Sequence, residues 1–260
     1  ILKTDDEHVI TEFHEKPPRE ELDGKESPVT DELEEEGRIY LASMGIYVFD
    51  REPLRELLDA NPDDHDFGKQ IIPEAIDKLT VASYPFTDYW SDIGTIRSFY
   101  EANLMLAGTE PPFSLYDQNR PLYTNARMLP PAKILSSYVQ NSLIAEGSVV
   151  TNSQISRSVV GIRSYVGDNT TLKNTVMMGA DHYRWHDMEE LGYLEGAKDP
   201  GIGEESYVEG AIIDKNVSIG KRCIIKNREN VEEAEEDKYY IRDGIVVIPK
   251  NTVIPDDTII

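Results

Sequence analysis

The chain has 260 residues, of which 26 are basic and 49 are acidic, so its formal net charge at pH 7 is −23. A surface this acidic argues against nucleic acid and anionic membranes as partners, and any anion site must therefore be a local cluster of Lys and Arg. No apolar run approaches the ~20 residues that span a bilayer, and the first residues lack the basic and apolar regions of a signal peptide. The single cysteine, Cys223, excludes an internal disulfide and fits a reducing compartment.

Residues 1–107 combine strand and helix patterns and predict a mixed α/β region. A strand from Thr11 must stop at two consecutive prolines, because proline cannot continue a ladder. The run 38–49 is almost continuously apolar, which is typical of a buried strand. Apolar residues at helical spacing follow Asp66. In chain order we predict strands at 11–18, 38–49 and 81–86 and helices at 53–58, 66–76 and 95–106.

Residues 108–133 predict a linker between two domains. This segment contains five prolines, which make a chain semi-rigid, and several aromatic residues. We therefore expect the linker to pack against the rest of the protein.

After Lys133, apolar residues recur every six positions, a period that fits neither an ordinary strand nor a helix. It is typical of a parallel β-helix of hexapeptide repeats, in which each flat side of a triangular coil turns one apolar residue inward. We predict this fold over 134–260, with flat faces that form oligomer contacts. Residues 181–203 interrupt the repeat, and their His182 and His186 lack a third zinc ligand, which favours a surface excursion. The expected inward residues are Val160, Val166, Leu172 and Met178, then Ile213, Ile219, Ile225 and Val231, then Val247, Val253 and Ile259.

Asp92 is the strongest candidate for chemistry in the first region. It stands between the aromatic pair Tyr89-Trp90 and a Gly-Thr turn, just before the last predicted helix. Mg²⁺ that bridges phosphate oxygens needs hard oxygen ligands, usually one or two carboxylates. An Asp before Ile-Gly is also a common turn residue, so the tripeptide alone leaves both interpretations open.

Three further residues have side chains suited to a phosphorylated sugar. Lys16 is a point charge at a strand end, although a solvated lysine beside a proline turn is the simpler local interpretation. Ser43, two positions before Gly45, offers a hydroxyl where the backbone can approach a sugar ring closely. Asp66 has the position of a helix N-cap and could also accept a hydrogen bond from a sugar hydroxyl.

Taken together, the motifs resemble those of ADP-glucose pyrophosphorylase (glucose-1-phosphate adenylyltransferase) over nearly the whole chain. The resemblance implies an α/β nucleotidyltransferase (Rossmann-like) partial domain in 1–107, the linker 108–133, and a left-handed parallel β-helix in 134–260 for regulation and oligomerisation. The matching segments are 13–17, with Glu15-Lys16-Pro17, then 42–49, 66–68, 89–95 and 122–131, and in the β-helix 158–161, 178–181, 211–216 and 244–246.

The resemblance also implies roles for particular residues and ligands. Asp92 would be one of two Mg²⁺ carboxylates and, with Lys16, a catalytic residue. The glucose 1-phosphate site would comprise Glu15, Lys16, Ser43, Asp66 and Trp90. An anionic allosteric effector would bind Arg127, Lys215 and Lys250. We expect ATP and glucose 1-phosphate as substrates in glycogen or starch synthesis, a homo- or hetero-tetramer, and a cytoplasmic location, or the plastid stroma for a plant-type source.

The family's Gly-rich loop for the nucleotide phosphates should precede Lys16, as should its other metal carboxylate, and neither is found in residues 1–15. We therefore expect a C-terminal portion of the enzyme that is inactive without the preceding segment. A non-catalytic regulatory subunit of a hetero-oligomer remains an alternative. A hexapeptide acyltransferase is less favoured, because that role usually needs a histidine in the coil and the only two beyond residue 65 lie in the excursion.

Overall fold

A computed structural model describes residues 1–183 and 200–260. These residues form two units, Ile1–Asp88 and Tyr89–Ile260. Most of the predicted excursion, including His186, lies outside the described residues. Within the described ranges, no helix combines the length and the apolar character needed to cross a bilayer.

The first unit contains a β-hairpin and three helices. Leu57 of the second helix packs with Ile71 and Ala75 in a small apolar core. The Asp66 carboxylate accepts a hydrogen bond from the Lys69 backbone N–H at 2.9 Å, so it caps the turn that leads into the third helix. The helices predicted around 53–58 and 66–76 are confirmed. The elements are β1 (Leu2–Thr4), β2 (Ile10–Phe13), α1 (Asp31–Glu35), α2 (Arg51–Ala60) and α3 (Ile72–Lys78), with a 3₁₀ turn at Arg19–Glu21 and a π-helical turn at Phe67–Ile71.

The buried strand predicted at 38–49 is wrong. Leu41 forms a single bridge with Leu2, and beyond it Ile46 and Val48 are 74% and 98% exposed. Residues 1–88 form only two strands, β1 and β2, so no neighbouring strand flanks 42–49 to complete a ladder. An apolar run therefore indicates a buried strand only where adjacent strands are present to pair with it.

The other two predicted strands are shorter than expected. The strand predicted at 11–18 corresponds to β2, which ends at Phe13, ahead of the prolines. The strand predicted at 81–86 is reduced to one bridge between Val9 and Ala82. The Ile10 N–H donates to the Val81 carbonyl at 2.8 Å, which places this short bridge beside β2.

The second unit is a parallel β-helix whose coils stack in register. Each inward side chain lies directly on its counterpart in the next coil, and these residues form one continuous core. The three stacks are Ile155, Leu172, Val208 and Ile225; Val160, Met177, Ile213 and Ile248; and Val150, Val166, Ile202, Ile219 and Ile254. The β-helix predicted after Lys133 is therefore confirmed.

In the part of the second unit that the structure describes, sixteen strands build these coils, and only two of their pairings are antiparallel: those within a meander from Ala234 to Ile248. They are β3 (Lys133–Leu135), β4 (Tyr138–Gln140), β5 (Leu143–Ile144), β6 (Val149–Thr151), β7 (Gln154–Ser156), β8 (Val159–Val160), β9 (Tyr165–Val166), β10 (Thr171–Met177), β11 (Gly201–Ile202), β12 (Tyr207–Ile213), β13 (Ser218–Ile219), β14 (Ile224–Ile225), β15 (Ala234–Glu235), β16 (Tyr240–Arg242), β17 (Ile245–Ile248) and β18 (Val253–Ile254).

The six-residue spacing identifies most inward residues but fails in two places. One side of the coil advances five positions, as from Leu172 to Met177, so Met177 is buried and the predicted Met178 is exposed. The run Val247, Val253 and Ile259 is displaced by one position from the inward residues, which are Ile248, Ile254 and Ile260.

Asparagines turn many of the corners between the flat sides. Asn is the non-glycine residue that best tolerates positive φ, because its short side chain can hydrogen-bond locally. The Asn152 amide donates to Asn169 and the Asn216 amide to Asn251, each at 3.1 Å, so corners of successive coils are tied together. The corner asparagines with φ between 43° and 62° are Asn141, Asn152, Asn169, Asn174, Asn216, Asn230 and Asn251.

Helix α4 (Ile96–Leu106) packs on the outer face of the β-helix. Thr95 caps it, with a side-chain oxygen that accepts from the Ser98 N–H at 3.1 Å. One flat side of the β-helix carries an outward apolar stripe formed by Val176, Ile212 and Val247, which are neighbours in register. The helix covers this stripe with Ile96, Phe99, Tyr100 and Leu104. Val247 is thus buried by α4 and not by the interior, which explains why the six-residue pattern took it for an inward residue.

Tyr100 anchors α4 through its hydroxyl, which donates to the Asn174 carbonyl at 2.5 Å. Burial raises the pKa of Tyr100 to about 12, so the phenol remains a neutral donor at neutral pH. Tyr100→Phe should lower the free energy of unfolding by about 1 kcal/mol, the net value of a typical hydrogen bond. Urea unfolding followed by circular dichroism would measure it. Tyr138→Phe, at a largely exposed tyrosine, is the control and should change stability by less than about 0.5 kcal/mol. Equal losses in the two variants would contradict the anchoring role.

The linker predicted to pack against the protein is mostly exposed. Phe113 contacts the Tyr89 ring with a centroid distance of 5.9 Å, but Tyr116, Tyr123 and Met128 are largely in solvent. Proline restricts the backbone of this segment without supplying an apolar partner for its side chains.

Candidate functional site

Glu15 and Asp66, two of the predicted sugar ligands, come together around Gly68. A Cβ atom on Gly68 would lie 2.8 Å from Glu15 Oε2 and 3.5 Å from Asp66 Oδ1. Only a glycine therefore lets the Glu15 carboxylate approach the Phe67–Ile71 turn this closely. Asp66 caps that turn, and Glu15 follows the end of β2, so the two carboxylates meet through the packing of separate elements.

Ser43 is linked to the same turn through aromatic side chains. Its Oγ lies 3.1 Å from the Tyr47 hydroxyl and accepts a hydrogen bond from the Gly45 N–H at 3.2 Å. The Tyr47 ring stacks on Phe67, with centroids 5.9 Å apart and planes 14° apart. Ser43 is thus connected to the turn that carries Asp66 and Gly68 through the Tyr47 and Phe67 rings. Sequence reasoning missed Tyr47 and Phe67, although both stand inside motifs that it used.

Lys16 follows Glu15 and has an exposed side chain. Its φ of 44° is unusual for a non-glycine residue and directs the chain from β2 into Pro17. Lys16 forms no ion pair with any residue in the described ranges, whereas Lys3, Lys78 and Lys173 each pair with a glutamate. An exposed, unpaired ammonium next to Glu15 in the chain can bind a phosphate.

Trp90 and Asp92 belong to the second unit, close before α4. Both side chains are exposed, and Asp92 Oδ1 accepts a hydrogen bond from the Gly94 N–H at 3.1 Å, so the residue forms a turn as the simpler interpretation predicted. In the part of the chain that the structure describes, no group of three or more His, Cys, Asp or Glu side chains is arranged to hold a metal ion. Asp92 supplies one hard oxygen ligand, which fits a Mg²⁺ held mainly by substrate phosphates and water but not a closed protein site.

Lys215 and Lys250, predicted as effector ligands, meet on one carboxylate. Lys215 Nζ lies 2.8 Å from Asp181 Oδ1, and Lys250 Nζ lies 3.3 Å from Asp181 Oδ2. The two lysines are equivalent positions of successive coils, because Ile213 pairs with Ile248 and each lysine follows two positions later. The sequence contains the signal for this proximity, since a Lys-Asn pair is repeated at both corners.

Asp181 is held firmly by its surroundings. Its N–H donates to the Asn216 side-chain oxygen at 2.7 Å, and the Asn216 amide donates back to Asp181 Oδ2 at 3.1 Å. Lys215 first, then Asn216 and Lys250, hold the pKa of the Asp181 carboxyl far below its usual range, so it is ionised at neutral pH. Sequence reasoning had matched Asp181 to a family turn but had not foreseen its contact with the lysines.

Arg127, the third predicted effector ligand, is exposed in the linker and has no ion pair with the described residues. The structure does not bring it to Lys215 or Lys250 through any contact. Arg163, which the sequence did not single out, lies on the same edge as Asp181: its guanidinium donates to the Ala180 carbonyl at 3.3 Å. Arg163 also lies over the Tyr183 ring, 5.7 Å from the centroid.

Comparison with known families agrees with both units of the chain. A family described as Nucleotidyl transferase matches residues 1–108, and one described as the GLGC left-handed parallel β-helix domain matches residues 127–259. The protein is thus a nucleotidyltransferase domain followed by a left-handed β-helix, as the sequence predicted. This is the architecture of ADP-glucose pyrophosphorylase, and the chain belongs to that family.

Proposed function

We propose that the chain serves glucose-1-phosphate adenylyltransferase activity, in which ATP and glucose 1-phosphate give ADP-glucose and pyrophosphate for glycogen or starch synthesis. The observation that carries this proposal is the approach of Glu15 and Asp66 around Gly68, with the unpaired Lys16 next to Glu15 in the chain and Ser43 connected to the same turn through Tyr47 and Phe67. The carboxylates can accept hydrogen bonds from sugar hydroxyls, and the serine hydroxyl can either accept or donate one. The lysine provides the local positive charge that a phosphate needs on so acidic a protein.

In the proposed reaction, a phosphate oxygen of glucose 1-phosphate attacks the α-phosphorus of ATP in line, and the bond to the pyrophosphate leaving group breaks. Such transfers require little covalent chemistry from the protein, so positioning and charge stabilisation provide most of the catalysis. Glu15, Ser43 and Asp66 would orient the sugar, Trp90 would pack near it, and Lys16 would hold its phosphate. Mg²⁺, when bound with the substrates, would neutralise phosphate charge, and Asp92 is the residue that would hold it.

Lys16→Ala should weaken glucose 1-phosphate binding by roughly 10- to 100-fold, the usual effect of losing a charge-assisted hydrogen bond to a phosphate. Calorimetric titration of the chain with glucose 1-phosphate would measure the dissociation constant without requiring turnover. Lys16→Arg should retain most of the affinity, since it keeps the charge and Arg157 has the same φ of 44° in this protein.

The matched control is Lys78→Ala at the end of α3, where the lysine is already paired with Glu74. It should bind glucose 1-phosphate as the wild type does. An unchanged dissociation constant in Lys16→Ala would overturn the assignment of Lys16.

We further propose that Lys215 and Lys250 bind an anionic allosteric effector, with Arg127 contributing from the linker. Two lysines that meet within 3.3 Å of one carboxylate form the local concentration of positive charge that such a site requires. We also propose that the chain assembles as a homo- or hetero-tetramer through faces of the β-helix.

A further inference from the structure

We propose that Asp181 is an internal anion that occupies the effector site and competes with the effector for Lys215 and Lys250. The inference rests on the proposed role of these two lysines. It adds a residue of opposite charge whose removal should strengthen anion binding instead of weakening it.

The geometry shows that the carboxylate takes the position that an anion would take. Its two oxygens each form an ion pair with a different lysine, at 2.8 Å and 3.3 Å, as two oxygens of a phosphate would. The side chains of Asp181 and Lys215 are about one-third exposed and that of Lys250 is half exposed, so an anion from solvent can reach both ammonium groups.

The surroundings of Asp181 fix it in this place. The reciprocal hydrogen bonds with Asn216 hold both its backbone and its carboxylate, and Asn216 in turn donates to Asn251 on the next coil. Gly179, with φ of 86°, sets the path of the chain two positions earlier. Asp181 therefore belongs to a rigid corner of the β-helix.

The charge balance gives the functional consequence. Lys215, Lys250 and Asp181 together carry a net charge of +1. Without the Asp181 carboxylate, the two lysines would carry +2. An incoming phosphate also meets the repulsion of a carboxylate a few ångströms away, which at an intermediate dielectric is a substantial penalty. The effector must therefore displace the carboxylate, so the site responds only to anions that bind the two lysines more strongly than Asp181 does.

A second carboxylate provides a matched control. Glu209 contacts Lys173 at 3.1 Å and Lys226 at 2.7 Å, again from lysines that precede asparagines, but on a different corner of the β-helix. Lys226 and the Tyr207 hydroxyl, with a smaller effect of Lys173, lower the pKa of Glu209 to about 2. Glu209→Gln thus removes a similarly held charge away from the proposed site.

The test is an NMR titration of the chain with inorganic phosphate, followed through the signals around Asn216. Wild type should bind, Lys215→Ala should lose binding, and Asp181→Asn should bind roughly ten times more tightly than wild type. Glu209→Gln should bind as wild type does. Thermal unfolding without phosphate would establish that each variant is folded.

If Asp181→Asn does not fold, the ¹³C signal of the Asp181 carboxyl in the wild type provides the answer, because phosphate should shift it while the Glu209 carboxyl stays unchanged. Binding that is equal or weaker in Asp181→Asn, or an unmoved Asp181 carboxyl at saturation, would overturn the competition and leave the lysine site standing. If neither wild type nor Asp181→Asn binds phosphate, the lysine site and the competition both fall.

Discussion

Replacing Gly179 with alanine should lower the free energy of unfolding by roughly 3 kcal/mol or more, through a steric clash added to backbone strain. Gly179 has a φ of 86°, which alanine adopts only with strain, and its Cβ would lie 2.3 Å from the Ile162 carbonyl oxygen and 2.7 Å from the Ile162 nitrogen. These are backbone atoms of the neighbouring coil, so they cannot move aside without breaking the stack. Urea denaturation followed by circular dichroism measures the loss.

Gly210 separates the two effects, because its φ is 67° but a Cβ there would meet nothing within 4 Å. It also shares a corner with Arg157 and Asn174, which adopt positive φ with full side chains. Gly210→Ala should therefore lower the free energy of unfolding by only about 1 kcal/mol. Similar losses at the two glycines would mean that the close approach at Gly179 is not what stabilises the corner.

Leu172→Ala should destabilise the β-helix by about 2–5 kcal/mol, the range for a large-to-small change in a packed core. Leu172 is fully buried and lies between Ile155 and Val208 in one interior stack. Because those neighbours belong to rigid coils, they cannot collapse into the space that the side chain leaves. The midpoint and slope of a urea unfolding curve would give the change.

Leu135→Ala serves as the comparison, since Leu135 lies in β3 of the first coil and is 40% exposed. The Leu135→Ala change should lower the free energy of unfolding by less than about 1 kcal/mol. If Leu135→Ala were as damaging as Leu172→Ala, the six-residue spacing would not distinguish core from surface in this protein.

The β-helix could be predicted from the sequence because its core depends on a local rule. Each coil places an apolar residue inward at nearly constant spacing, so Val160, Val166 and Leu172 reveal the interior without knowledge of distant contacts. The rule failed at Val247, where an apolar residue faces helix α4 instead of the interior. A one-dimensional pattern shows that a residue is buried but not which element buries it.

The candidate sites were predictable in composition but not in arrangement. The motifs identified Glu15, Ser43 and Asp66 as a group, and the structure links them through Gly68, Tyr47 and Phe67. The meeting of Lys215 with Lys250 requires the register between coils, because 35 residues of chain separate them. The roles of all these residues remain predictions, and for Asp92, Trp90 and Arg127 the structure adds only that their side chains are exposed.

The packing of α4 means that the domain border in the sequence is not a border in the folded molecule. The nucleotidyltransferase match extends to residue 108, yet the helix that ends it is part of the β-helix unit. A recombinant β-helix begun at residue 127 would leave Val176, Ile212 and Val247 bare to solvent and prone to self-association. Hybrids between relatives should therefore be joined near Asp88. Each hybrid then takes helix α4 from the same parent as the β-helix surface that α4 covers.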